Sequence, residues 1–166
     1  MNTLLNAVNI LKAQGIDLSG EICALAHVTA LTHLTGRWME VNRLPKAICD
    51  TGHNVGGWQY LVPQIKAQPC KQLRIVFGMV DDKDIDTVMG MLPKQAIYYW
   101  TQATTKRAVP ADKVSDKALL YGLSGHIYKS VKEAYSHALA EADDADFIFI
   151  GGSSYIVADL LSSVEK

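Results

Sequence analysis

Apolar residues follow two rhythms along the chain, a helical spacing at the start and short β-rich runs alternating with helical faces thereafter. Leu4, Leu5, Val8 and Leu11 recur at helical spacing until Gly15 stops the run. A second helix is predicted to follow, with Ser19 as its cap and Ile22, Leu25, Ala26 and residues 28–31 as a wide apolar face reaching to Gly36. Short strands are then predicted at 37–41 and 47–50, separated by a turn containing Pro45.

From residue 47 onward strands are expected at 47–50, 73–78, 96–101 and 147–150, with a weaker one at 126–128. Trp58, Leu61, Val62 and Ile65 form one helical face between them. Val131, Ala134, Tyr135, Ala138, Leu139 and Ala142 form a second, and Ile156, Val157, Leu160, Leu161 and Val164 a third. Runs such as Phe147-Ile148-Phe149-Ile150 are apolar at every position, the pattern of strands covered by helices on both sheet faces. The predicted fold class is therefore α/β, a Rossmann-like, mostly parallel sheet flanked by helices. Pro63 lies inside the first of these faces and removes a hydrogen bond, so a kink or a late start is expected there.

Composition narrows the function classes. The 166 residues are 49% hydrophobic and 20% charged, a globular balance for one ordinary domain that buries about two-thirds of its unfolded surface. With 16 Lys+Arg against 17 Asp+Glu there is no basic field to hold a nucleic-acid backbone. The richest apolar segment, 22–34, is interrupted by His27, Thr29, Thr32 and His33, so no membrane span is expected, and no secretory signal opens the chain. Cys23, Cys49 and Cys70 follow no zinc or disulfide spacing and are expected to be reduced thiols of a cytoplasmic protein, without a native disulfide.

Candidate chemistry concentrates where strands give way to helices. Cys49-Asp50-Thr51-Gly52-His53-Asn54 follows a predicted strand and precedes a helix, the place where open α/β sheets bind ligands. There Asp50 offers an acceptor to a ribose or amine, His53 a donor to a developing phosphate or carboxylate charge, and Gly56-Gly57 a close approach to the helix start. Asp50 and Asn54 are equally good helix caps, so on residue chemistry alone both readings stand. Gly151-Gly152-Ser153-Ser154 is a second such junction, an anion cradle or a tight turn with a Ser cap; it has neither GxGxxG spacing nor the Lys of a phosphate loop. The acidic loop 78–84 has no EF-hand spacing and is expected to end in an Asp cap. Arg37 and Arg107 have the guanidinium fork that suits phosphate or carboxylate, although most surface arginines are merely solvated. His27, His33, His126 and His137 show no ligand pairing, and Trp38, Trp58 and Trp100 are expected to anchor packing.

Taken in order, five segments resemble the folylpolyglutamate synthase/dihydrofolate synthase family of the Mur ligase superfamily. They are Thr35-Gly36-Arg37-Trp38-Met39-Glu40, Ile48-Cys49-Asp50-Thr51-Gly52-His53-Asn54, the stretch from Val76-Phe77-Gly78-Met79 to Asp82-Lys83-Asp84, Arg107-Ala108 with Pro110-Ala111, and Gly152-Ser153. The second is similar to the family's Asp-Gly-Ala-His-Asn segment. Thr51 departs from the usual glycine, and Lys106 from a frequent proline.

The resemblance implies the carboxyl-terminal domain of an enzyme that phosphorylates a folate or dihydropteroate carboxylate with ATP and Mg2+ and joins L-glutamate to the acyl phosphate. Residues 1–34 are then expected to be a helical segment at the interdomain junction, packed on the ligase domain of 35–166. The phosphate loop and the magnesium ligands would belong to a partner amino-terminal domain, so no metal ligand is assigned here and the chain alone is expected to be inactive. By the same resemblance Arg37, Asp50 and Asn2 reach ATP, His53 is catalytic, and Asn54, Lys83, Arg107 and Ser153 contact substrate. The alternatives are a stand-alone nucleotide- or amino-acid-binding module and the corresponding domain of a peptidoglycan Mur ligase.

Overall fold

A computed structural model describes residues 2–18, 20, 27–81 and 84–164, with backbone alone at 2–5 and 30. They fall into two compact units, Met1–Thr35 and Gly36–Lys166. In the first, helix α1 (Asn2–Ala13) ends where Gly15, at φ +82°, donates to the Lys12 carbonyl at 2.9 Å, as the apolar spacing before Gly15 predicts. A one-turn helix α2 (Val28–Thr32) ends at His33 in the left-handed conformation. Ser19 and residues 22, 25 and 26 of the second predicted helix lie outside the described residues.

The second unit is built on a six-stranded sheet: β1 (Met39–Asn42), β2 (Lys46–Asp50), β3 (Leu73–Phe77), β4 (Ile97–Trp100), β5 (Gly125–Ile127) and β6 (Phe147–Gly151). Their spatial order is β1-β2-β6-β3-β4-β5, with β1 antiparallel to β2 and every other pair parallel. The chain thus leaves β2, skips a place to form β3, runs outward through β4 and β5, and returns to fill the centre with β6. Helices α3 (Val55–Lys66), α4 (Ile85–Met91), α5 (Ala111–Leu119), α6 (Val131–Ala140) and α7 (Ser154–Val164) connect and follow the strands.

Strand alternation divides the core in two. Ile48, Ile75, Phe77, Tyr98, Trp100, Phe147 and Phe149 meet buried side chains of α3, α4 and α5 on one face. On the other, Ala47, Cys49, Val76, Tyr99, Ile148 and Ile150 meet those of α6 and α7. Trp58 is wholly buried against Phe77 and Phe149, and Trp100 stacks on Tyr98 with ring centroids 4.5 Å apart, so both serve as the packing anchors the sequence suggests.

Three differences from the sequence expectation have physical reasons. Helix α3 starts at Val55 without delay and continues through Pro63 to Lys66. Pro63 and Gln59, the residue whose carbonyl loses its partner, are both exposed, so water can satisfy that carbonyl. Helices α4 and α5 are too short to show a sustained period; only two and three of their residues are buried. Strand β3 carries a buried arginine among its apolar residues: Arg74 donates to Asp146, to the Tyr99 hydroxyl and to the Glu141 carbonyl at 3.0, 2.7 and 2.6 Å. This network lies at the amino-terminal end of the strands.

Candidate functional site

At the opposite, carboxyl end, three parallel strands finish level: Asp50 pairs with Gly151, and Gly151 with Phe77. The chains then approach too closely for side chains. Gly78 donates to the Gly151 carbonyl at 3.3 Å, and Gly152 adopts φ +110° with its α-carbon against the Gly78 carbonyl, where a β-carbon would collide. The result is an edge of bare backbone between β2, β6 and β3, the position where open α/β sheets place ligands.

Asp50 organises one side of this edge. It is 7% exposed; its Oδ2 accepts the Trp38 amide at 2.8 Å, and its Oδ1 accepts the Gly52 amide at 2.7 Å. The Arg37 guanidinium, half exposed, stands 3.9 Å from Oδ1. Residues 36–38 form a strap across the strand end. Gly36, at φ +73°, accepts the Thr51 amide at 2.8 Å, and Trp38 sits at φ +44°, a conformation that costs a bulky residue on the order of 1–3 kcal/mol. The Trp38 ring is half-buried and faces Phe149, centroids 6.2 Å apart. The strap lies where the sequence suggested the start of a strand; β1 begins only at Met39, because residues 36–38 bond to the end of β2 and not along it.

His53 is half-buried, with Nδ1 3.0 Å from the Thr51 carbonyl. A carbonyl only accepts, so Nδ1 donates to it, which leaves Nε2 as the ring nitrogen for a ligand. Asn54 is the N-cap of α3, its side-chain oxygen accepting the Gly57 amide at 2.8 Å. Ser153 is buried and accepts the Ile156 amide at 3.2 Å in the first turn of α7. Asn54 and Ser153 thus perform the capping that residue chemistry allowed, beside the edge where binding was expected.

Arg107 lies on the β4–α5 connection, its Nε 3.9 Å from Asp81 on the β3–α4 connection. The two connections are tied by the Val80–Ala108 bridge, by the Asp81 amide donating to the Arg107 carbonyl at 3.0 Å, and by the Val109 amide donating to the Met79 carbonyl at 3.0 Å. Asp84 caps α4 by accepting the Thr87 amide at 3.0 Å, and that hydroxyl and amide hold its carboxyl below the usual carboxylate range. Lys83 lies outside the described residues. So does the side chain of Asn2, which belongs to the other compact unit.

The structure therefore brings Arg37, Asp50, His53, Asn54 and Ser153 to the carboxyl ends of β2 and β6, with Arg107 on the same side of the sheet beyond β3. Sequence reasoning missed the carbonyl of Thr51, which orients His53, and the strained backbone of Trp38; Gly36, two residues before a tryptophan, was the one signal of the strap. Among the described residues no three His, Cys, Asp or Glu side chains come together as metal ligands. A groove of about 810 Å³, lined by Lys66, Lys71 and Lys94 among others, opens at the far, amino-terminal end of β3 and β4, away from this site.

The mostly parallel sheet, with its last strand near the centre, thus carries a polar cluster at its carboxyl edge, where open α/β sheets place ligands. The chain belongs to the family described as Mur ligase, glutamate ligase domain, which matches residues 36–154. It is similar to the dihydrofolate synthase/folylpolyglutamate synthase of Escherichia coli (strain K12), 30% identical over 161 residues, 96% of this chain and 37% of that protein. The enzyme of the same name from Buchnera aphidicola is 27% identical over 80% of this chain and 32% of its own length. Among solved structures, E. coli FolC in complex with DHPP and ADP matches with a TM-score of 0.73 at 28% identity, over 80% of this chain and 31% of that one. The Yersinia pestis bifunctional enzyme complexed with AMPPNP and Mn ion matches at 0.70 and 27%, over 80% and 32%. The chain thus spans about a third of the length of these relatives. Among the described residues no helix is long and apolar enough to cross a membrane.

Proposed function

We propose that this chain is the carboxyl-terminal domain of an ATP-dependent folylpolyglutamate/dihydrofolate synthase, a cytoplasmic enzyme that adds L-glutamate to a folate or dihydropteroate carboxylate. The observation that carries the reading is the convergence of Arg37, Asp50 and His53 on the bare carboxyl edge of β2 and β6. Residues 1–34 form the junction with an amino-terminal domain that holds the phosphate loop. By resemblance to the family, the magnesium ligands are assigned to that partner domain.

In the reaction, a substrate carboxylate oxygen attacks the γ-phosphorus of ATP and ADP leaves. The glutamate amine then attacks the acyl carbon, and phosphate departs as the amide bond forms. Arg37, half exposed beside Asp50, presents its guanidinium to the nucleotide phosphates, and Asp50 joins it on the nucleotide side. His53 turns Nε2 toward the transferring phosphate and the incoming glutamate, with its ring held by Thr51. By resemblance to the family, Asn54, Lys83, Arg107 and Ser153 are assigned to substrate and Asn2 to adenine. Closure of the two domains would keep water from the acyl phosphate.

The test uses the complete enzyme. His53→Ala is expected to lower kcat by about 10²-fold or more with a smaller change in KM, because its partner charge peaks in the transition state. The 166-residue chain alone is expected to form no glutamylated product. Wild-type kinetics for His53→Ala, or magnesium-dependent turnover by the chain alone, would overturn the reading.

A further inference from the structure

We propose that Thr51 is a positioning residue for His53: its side chain locks the chain leaving β2 against the 36–38 strap, which fixes the carbonyl that orients the imidazole. The inference rests on the function proposed above for His53 and names the residue that sets which ring nitrogen meets the ligand.

Three parts of Thr51 are engaged at once. Its amide donates to the Gly36 carbonyl at 2.8 Å, its carbonyl stands 3.0 Å from His53 Nδ1, and its Cγ2 methyl faces the Gly36 α-carbon. The methyl contact is close: a β-carbon on Gly36 would stand 2.9 Å from Thr51 Cγ2 and 3.0 Å from Cγ1 of the buried Val157. Gly36, at φ +73°, is therefore also the notch that receives the threonine methyl. Position 52 cannot take over this task, since a β-carbon on Gly52 would run into the buried Leu61 side chain. The segment is similar to the family's Asp-Gly-Ala-His-Asn, but the glycine has moved: here the first of the two middle residues bears the side chain and the second is bare. A β-branched residue also closes off backbone conformations that glycine would leave open, so the Thr51 carbonyl has fewer directions in which to point.

That carbonyl selects the state of the ring. Nδ1 donates to it both in the neutral Nδ1–H tautomer and in the imidazolium, whereas the Nε2–H tautomer would set a nitrogen lone pair against a carbonyl oxygen. The same bond therefore survives a change in ring charge. Only Nε2 alters its role, accepting when the ring is neutral and donating when it is charged. With glycine at position 51 the methyl contact is lost and the backbone gains freedom, so the carbonyl can turn away and release the ring to either tautomer. Valine at position 51 keeps the branch and the methyl and removes only the hydroxyl.

Two measurements test this. In the 166-residue chain carrying isotope-labelled histidine, long-range proton–nitrogen NMR reports the tautomer directly, at about two pH units above the ordinary histidine pKa of about 6.5. His53 should be mainly Nδ1–H in the wild type and in Thr51→Val, whereas Thr51→Gly should raise its Nε2–H share by about threefold or more. In the complete enzyme, Thr51→Gly should lower kcat by about fivefold or more with a smaller change in KM, because only correctly oriented rings turn over. Thr51→Gly combined with His53→Ala should be no worse than His53→Ala by more than about twofold, since an effect transmitted through one residue does not add. An unchanged tautomer in Thr51→Gly, or additive losses in the double variant, overturns the positioning role and leaves the function of His53 intact. A loss of kcat in Thr51→Val with the tautomer retained overturns it as well, by placing the effect in the hydroxyl. Wild-type kinetics for His53→Ala would remove the role of His53 and the positioning role with it. If Thr51→Gly fails to fold, Thr51→Ala, which keeps the β-carbon and lacks the methyl, carries both arms and the same outcomes decide.

Discussion

Replacing Arg74 by methionine keeps most of the side-chain volume and removes the charge, which isolates what the guanidinium contributes to the sheet. Three hydrogen bonds are lost, to Asp146, Tyr99 and the Glu141 carbonyl. Glu141 is half exposed and can turn to water, so its share is small; Asp146, with a side chain only 2% exposed, cannot. Its Oδ1 has no partner among the described residues, and after the substitution Oδ2 keeps only the Asp143 amide at 3.2 Å. A stranded buried carboxylate costs about 3–5 kcal/mol. For a domain of this size that corresponds to a drop in Tm of about 6–20 °C. Burial, the largest single influence, works against the charge on Arg74, but the hydrogen bonds to Asp146 and Tyr99 outweigh it and raise its pKa. Arg74 therefore stays charged throughout the accessible range. Urea unfolding at neutral pH, followed by tryptophan fluorescence, measures the loss. A second variant, Arg74→Met with Asp146→Leu, should recover more than half of it, because an apolar pair carries no desolvation cost. A loss below about 1 kcal/mol for the single variant, or a double variant no better than the single, would refute the assignment of Asp146 as the dependent partner.

Other outcomes follow from particular environments. Burial first, and then the charge of Asp50, pushes the Cys49 thiol up to about 11, whereas Cys70 is exposed; iodoacetamide at mildly alkaline pH should modify Cys70 in the native chain and spare Cys49 until urea is added, and equal labelling of both would contradict the buried setting. Gly152→Ala should destabilise by about 2 kcal/mol or more, read as a lower Tm, because the residue sits at φ +110° against the Gly78 carbonyl; an unchanged melt would mean that edge relaxes freely. Hydrogen bonds from Lys117 and then Tyr121 depress the Asp86 pKa, so its contribution is complete above its unfolded pKa of about 4 and is lost as pH falls through the lower folded value. Asp86→Asn should therefore flatten the acid limb of a stability-against-pH curve, and an unaltered slope would rule this linkage out.

Much of the architecture was legible because the strongest strands are apolar at nearly every position. The runs at 73–77 and 147–150 have few other ways to be buried than in the middle of a covered sheet, and they lie side by side there. The 126–128 segment gave a weaker signal for a physical reason: β5 is an edge strand with all three residues exposed, so it lacks the apolar alternation of a buried element. Helices α4 and α5 escaped because two or three buried residues do not establish a period. In the site, Asp50, His53 and Asn54 could be found from their place at a strand-to-helix junction. What could not be read was the partner of each. That Asp50 bonds the Trp38 amide twelve residues earlier, or that a tryptophan occupies a left-handed conformation, depends on the chain folding back across the end of β2. Local propensity places a tryptophan in a strand or core, and here the tertiary bonds override it.

The central position of β6 bears on how the sheet can come into being during synthesis. β2 and β3 are made early, yet neither touches the other; each is bonded to β6, the last strand in chain order. Until residues 147–151 leave the ribosome, both early strands carry an open inner edge lined with apolar side chains. The nascent chain must therefore wait, with its sheet in two halves, for most of the domain to be made. A polypeptide stopped before Phe147 would keep those two halves and never join them. The segment that ends the waiting, Phe-Ile-Phe-Ile, is itself an uncharged apolar run of the kind that self-associates when exposed.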